Sequence, residues 1–220
     1  MPKVGVILSG SGVFDGSEIH EAVITLLTIE REGAEYVCMA PNINQMHTVN
    51  HITGDESKGE QRNVLVESAR IARGNIKDVK DVSADEIDAL IIPGGFGAAK
   101  NLCDFAVKGI DCEVSPDVKE LVLNMSKAAK PIGAICIAPA LLAKVFEGTD
   151  VKPTLTIGTD KQSAEAIEKM GAIHKDCPVD DIVVDYDNRI VTTPAYMLAK
   201  GISDAGSGIE RLVEEIIDML

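Results

Sequence analysis

A chain of 220 residues with 45% apolar and 25% charged residues has the make-up of an ordinary globular protein with a substantial core. Its net charge of −14 offers no basic face, which argues against nucleic acid and anionic membrane surfaces as partners. No apolar stretch approaches the roughly 20 residues needed to span a bilayer, and "MPKVGVILSGSG" lacks the parts of a signal peptide, so a cytosolic location is expected. Five cysteines without a CxxC pair or Cys/His ligand spacing argue against a disulfide framework and a structural metal, and no cofactor is expected.

In chain order, apolar runs alternate with amphipathic stretches. The runs 3–10, 35–41, 89–95, 131–137 and 155–159 are continuously apolar, as parallel strands covered on both faces are. Between the first two, residues 17–32 read as a helix with Asp15 as N-cap, Gly33 at its end and a stripe of Ile19, Ala22, Val23, Leu26 and Leu27. The polar, turn-rich segment 42–63 reads as an excursion beside the sheet. Residues 115–129 read as a helix with Ser115 as cap and Pro116 at its first position. Residues 181–194 are two strands around an Asp-Asn turn, and 203–219 form the last helix. The alternation predicts an α/β fold, a doubly wound and mainly parallel sheet with an antiparallel hairpin near the C-terminus. No linker or repeat interrupts it, so residues 1–220 are expected to form one domain.

Ligands of such sheets bind at the carboxyl ends of strands. Three of those ends carry candidate chemistry. In "GAICIAPALL" (133–142), Cys136 stands where a strand gives way to a helix, with small Ala134 and Ala138 on either side and Pro139 suited to the first helical turn. It is either a buried packing residue or a nucleophile whose thiolate is favoured by the helix N-terminus. In "IIPGGFGAAKNL" (91–102), Gly94 and Gly95 let backbone approach a ligand, and the amides of Gly95 and Ile137 are candidate oxyanion donors. In "SGSGVFDGSEIHEAV" (9–23), Glu18 is a candidate acid/base or a capping partner of Asp15. His20 lies beside it, and Asn50 and His51 are polar candidates for one wall of the pocket. Cys38 reads as core, and Cys103, Cys112 and Cys177 receive no chemistry.

Taken together, "GVILSGSGVFDGSEIHEAV", "NHITG", "PGGFGAAKNL", "CIAPALL" and "PVDDIVVD…VTTPAYML" resemble the ThiJ/PfpI branch of the class I glutamine amidotransferase-like superfamily, and within it the ElbB group of isoprenoid-biosynthesis proteins with an amidotransferase-like domain. The resemblance implies a flavodoxin-like three-layer α/β/α sandwich, Cys136 on a nucleophile elbow, Glu18 in contact with the thiol, a homodimer, and a cofactor-independent glyoxalase activity. The chain also departs from the pattern. Neither 192–197 nor 137–148 holds the histidine that amidotransferases or many ThiJ/PfpI relatives place there, so glutamine hydrolysis lacks its usual base.

The leading expectation is a glyoxalase-type enzyme acting on a small carbonyl substrate, with Cys136 as nucleophile and Glu18 as proton shuttle. A glutamate helps a thiolate only when protonated, so Glu18 is expected to have a raised pKa. The alternative is a non-enzymatic redox-sensing or stress-response protein, related to isoprenoid metabolism, whose Cys136 is oxidised as a signal.

Overall fold

The computed structural model describes residues 1–220. Its strands are β1 (Lys3–Ile7), β2 (Glu35–Ala40), β3 (Lys77–Asp78), β4 (Ala89–Ile92), β5 (Ile132–Ile135), β6 (Thr154–Leu155), β7 (Ile173–His174), β8 (Val183–Asp185) and β9 (Ile190–Thr193). Its helices are α1 (Ile19–Arg31), α2 (Val64–Ile71), α3 (Phe96–Lys100), α4 (Phe105–Lys108), α5 (Pro116–Lys127), α6 (Ala138–Phe146), α7 (Lys161–Lys169) and α8 (Ile202–Asp218). Seven strands make one sheet in the order β3-β2-β1-β4-β5-β9-β8, parallel throughout except for the β8–β9 hairpin. The fold is a three-layer, flavodoxin-like α/β sandwich.

The layers explain the unbroken apolar runs. Along β1, Val4 and Val6 enter one core while Ile7 enters the other; along β4, Ala89 and Ile91 separate from Leu90 and Ile92 in the same way. A strand with helices on both faces has no position for a polar side chain. One core is closed by α1 and α8, whose Ala22, Leu26, Ile29, Ile209, Leu212 and Ile216 are buried there; the other is closed by α5 and α6. Gly133 admits this packing, because a Cβ on it would lie 2.9 Å from Leu212 Cδ2.

Strand order reverses around β1, which has β2 on one side and β4 on the other. The carboxyl ends of β1, β4 and β5 therefore open on a topological switch point, where doubly wound sheets bind ligands.

Three expectations are corrected. The run 155–159 does not join the main sheet: β6 pairs with β7 in a separate two-stranded sheet. Helix α1 begins at Ile19, with Glu18 rather than Asp15 as its N-cap. Asp15 is buried and accepts a 2.7 Å hydrogen bond from Val49 N, so it holds the 42–63 excursion to the first loop instead. The helix is also rotated from its expected phase, because Ile19, Val23 and Leu27 are exposed while Glu21, Thr25 and Thr28 are buried with Ala22, Leu26 and Ile29. Burial of the threonines is inexpensive, because their hydroxyls donate to Glu21 O and Ile24 O one turn back. Apolar character alone could not fix that rotation.

Candidate active site

Cys136 follows β5 directly and precedes α6, with φ at +62°. A non-glycine residue in the left-handed region is uncommon, and such backbone conformations cluster at functional sites. The turn is held because Cys136 N donates to Thr193 O on β9 at 3.0 Å. Pro139 sits in the first turn of α6, where a missing N–H leaves nothing unpaired. Cys136 as a residue is 8% exposed.

The backbone amides of Gly95 and Ile137 flank the elbow and favour the thiolate. Gly95 adopts φ +91°, and a Cβ on it would fall 2.3 Å from Glu18 N. Gly94 is more constrained by its neighbours. A Cβ there would lie 2.5 Å from the Cys136 Cβ, 2.7 Å from Glu21 Oε2 and 2.9 Å from Ile135 O. Backbone and an elbow residue cannot move aside, so Gly94→Ala is expected to destabilise the fold by about 3 kcal/mol or more. Urea unfolding checks this.

The acid against the thiol is Glu21, not Glu18. Glu18 spends its carboxylate on the helix start, where Oε2 accepts from Glu21 N at 2.7 Å. Its own N–H donates to Gly94 O at 2.9 Å, tying α1 to the glycine turn. One turn on, Glu21 is fully buried, and its carboxylate and the Cys136 Cβ both crowd Gly94. Gly94 N donates to Glu21 Oε2 at 2.9 Å and Tyr196 N donates to Oε1 at 3.2 Å. Burial, reinforced by the nearby charge of Glu18, raises the Glu21 pKa to about 8. The raised carboxyl expected at Glu18 thus occurs three residues later. Burial also pushes the Cys136 thiol well above its usual range, and the Glu21 charge adds to this, while the Gly95 and Ile137 amides oppose it.

The remaining candidates divide. His20 Nδ1 is 2.8 Å from the Tyr196 hydroxyl and 3.7 Å from Glu18 Oε1, at the edge of the acid cluster. Asn50 Oδ1 accepts from Ile52 N within its own turn. His51 accepts from Phe14 N at 3.2 Å, with its ring against that of Phe14. Asn50 and His51 therefore order the first loop and the excursion, without a hydrogen bond to Cys136 or Glu21. His174 is bound into the small sheet, its Nε2 accepting from Ile157 N.

Sequence reasoning missed Glu21 and Tyr196. Glu21 keeps the 21–25–28 spacing of the buried threonines, a signal legible only once that face is known to point inward. Beside the elbow lies a cavity of about 560 Å³, bordered by Phe96, Phe105, Ile110 and Ile137 on one side and Gln162 and Glu165 of α7 on the other.

With this geometry in place, relatedness can be read. Residues 12–196 match the DJ-1/PfpI family model. The chain belongs to the DJ-1/PfpI family. It is 45% identical over 226 residues to the mitochondrial glutamine amidotransferase-like class 1 domain-containing protein 3 of Homo sapiens, covering 99% of this chain and 83% of that protein. It is 44% identical over 226 residues to the mitochondrial ES1 protein homolog of Rattus norvegicus, covering 99% and 84%. A crystal structure of an isoprenoid biosynthesis protein with amidotransferase-like domain from Ehrlichia chaffeensis superposes with a TM-score of 0.92 at 40% identity, covering 100% of this chain and 99% of that one. The cytosolic location expected from the sequence is overturned by the relatives, which are mitochondrial by name. Net charge and unpaired cysteines do not distinguish one reducing aqueous compartment from another. No helix is long and apolar enough to cross a membrane.

Proposed function

We propose that this DJ-1/PfpI family member is a cofactor-independent glyoxalase of the ElbB group, with Cys136 as nucleophile and Glu21 as proton shuttle. The observation that carries the reading is that the buried side chains of Cys136 and Glu21 converge on Gly94, where a single added Cβ would lie 2.5 Å from the Cys136 Cβ and 2.7 Å from Glu21 Oε2. When the pair holds one proton, its reactive form is a thiolate beside a neutral carboxyl. The sulfur adds to one aldehyde carbon of glyoxal, the carbonyl electron pair moves to oxygen, and Glu21 supplies the proton that completes a hemithioacetal. The two amides are placed to stabilise the oxyanion as it forms. The Glu21 carboxylate next removes the proton from that carbon and returns it to the neighbouring one, while the hydroxyl proton passes between the two oxygens. The first carbon is oxidised to a thioester and the second reduced to CH₂OH, with no external electron acceptor. Water then releases glycolate and restores the thiol. Incubating the protein with glyoxal and quantifying glycolate tests the reading; no glycolate above a protein-free control would reject it.

A second reading is favoured by the 8% exposure of Cys136 and its absence from the lining of the 560 Å³ cavity. Under it, the protein is a redox-sensing or stress-response protein linked to isoprenoid metabolism, and small oxidants are the thiol's partners. A kcat/KM far below about 10⁴ M⁻¹s⁻¹ favours this reading.

Two further proposals attach to the first. The names of the relatives support a mitochondrial location. The exposed row Ile19, Val23 and Leu27 on α1, at 44%, 47% and 41%, supports a homodimer of 1–220 domains, since one helix face can pair with itself about a two-fold axis. Sedimentation is expected to show a dimer that Val23→Glu converts to monomer; a wild-type monomer would refute it.

A further inference from the structure

Outside the Cys136 site the chain buries a second pair of thiols. Cys103 and Cys112 are 5% and 1% exposed and belong to the same core. They are brought together by a short antiparallel contact in which Cys103 is bridged to Val114. Ser115 N donates to Leu102 O at 2.8 Å, and Asp104 N donates to Glu113 O at 3.2 Å. Cys103 and Val114 face each other, so Cys112, two residues earlier, lies on the same side as Cys103. The two thiols are therefore neighbours on one face of this contact, and Cys103 Sγ donates to Ala98 O at 3.3 Å.

The pair is chemically asymmetric. The neighbouring Cys103 lowers the Cys112 pKa, against the effect of burial, and the charge of Lys144 lowers it further. Lys144 is fixed nearby, its Nζ donating to Ile110 O at 2.7 Å and to Glu147 Oε2 at 2.6 Å. A thiol with a resolving thiol and a cation beside it has the arrangement of a redox-active dithiol.

We infer that Cys103 and Cys112 form a reversible intramolecular disulfide under hydroperoxide, and that closing it tightens the cavity wall beside the elbow. The eight residues enclosed, 104–111, contain α4 and the turn at Gly109, and their Phe105, Ala106, Gly109 and Ile110 line the 560 Å³ cavity. The Cys112 thiolate attacks a peroxide oxygen, breaking the O–O bond to give a sulfenic acid and hydroxide. The Cys103 thiol displaces the sulfenic oxygen, forming the S–S bond and releasing water. Overall, two thiols lose two electrons and two protons, and one hydrogen peroxide becomes two waters. Bringing the two sulfurs to bonding distance draws the ends of 104–111 together, with Gly109, at φ +58°, as the point of adjustment.

The chemistry is separable from Cys136. Wild type and Cys136→Ala are treated with hydrogen peroxide, quenched by alkylation in acid, and digested with trypsin without reduction. Cleavage after Lys100, Lys108 and Lys119 puts Cys103 and Cys112 on separate peptides, 101–108 and 109–119. Both proteins are expected to give the crosslinked pair, released as separate peptides by dithiothreitol, and Cys136→Ala, which keeps four of the five cysteines, is expected to lose two titratable thiols. Peptides that stay separate and fully alkylated at peroxide doses that oxidise Cys136 would overturn the disulfide, as would sulfinic acid on Cys112 without crosslink. Amide hydrogen exchange across 105–111 is expected to slow on oxidation and recover on reduction. Unchanged exchange in the crosslinked protein would overturn the effect on the cavity wall.

Discussion

Replacing Cys136 by alanine is expected to abolish conversion of glyoxal to glycolate, a loss of about 10³-fold or more. In the proposed mechanism the sulfur forms the covalent intermediate and the Glu21 carboxyl moves protons, so the variant lacks the group that adds to the carbonyl. The variant should fold, since alanine preserves the Cβ and the backbone bond from residue 136 N to Thr193 O. Its effect on stability should therefore be small beside its effect on turnover. Retention of wild-type glycolate production would show that this thiol is not the nucleophile, and circular dichroism on the same samples separates chemistry from unfolding.

Glu21→Gln is expected to lower the same activity by about 10²–10⁴-fold, the range for loss of a positioned general acid/base. Glu18→Gln is expected to change turnover by less than about tenfold, since an amide oxygen can still accept from Glu21 N. The pH dependence separates the two glutamates more sharply. Activity should rise as pH approaches about 8, where Glu21 gives up its proton and leaves the pair with one. The Glu18 charge helps to raise that pKa, so Glu18→Gln should move the rise to lower pH. An equal loss of turnover in both variants, with an unmoved profile, would return the shuttle role to the cap.

Stability should respond in the opposite direction. The folded state raises the Glu21 pKa from 4.5 to about 8, so between those values it binds more protons than the unfolded chain. Stability is then greatest below about pH 4.5 and declines as pH rises to about 8, by roughly 5 kcal/mol if this group acted alone. Glu21→Gln carries no charge at any pH. It is expected to be more stable than wild type at pH 9 and to lose that advantage at pH 4, by urea unfolding across the range. A buried acid kept at the expense of stability is what a working site would retain.

Much of this is legible in the sequence. The stretch around Cys136 encodes its own geometry: four apolar residues, the cysteine, and a proline that suits a first helical turn. The Gly94-Gly95 pair after β4 announces close backbone approach, and the cysteine, flanked by alanines, lies within that reach. These are local matters, decided by which backbone angles a residue allows and which groups a helix end leaves open. The α/β order and the late hairpin are legible for a similar reason, since continuous apolar runs and an Asp-Asn turn are short-range signals.

What sequence could not decide was rotation and pairing over distance. Glu18 and Glu21 are both acidic and lie within one turn of each other. The choice between them depends on which face of α1 meets the sheet. Ile19, Val23 and Leu27 argued for one face, yet the fold buries Thr25 and Thr28, whose hydroxyls are satisfied by their own helix. Likewise Cys103 and Cys112 are unremarkable at a spacing of nine residues until the chain folds Val114 back against Cys103. The sequence by itself determined an elbow with a cysteine on it. Only tertiary packing chose the acid that faces the cysteine, because burial, which gives Glu21 its pKa, belongs to the assembled layers.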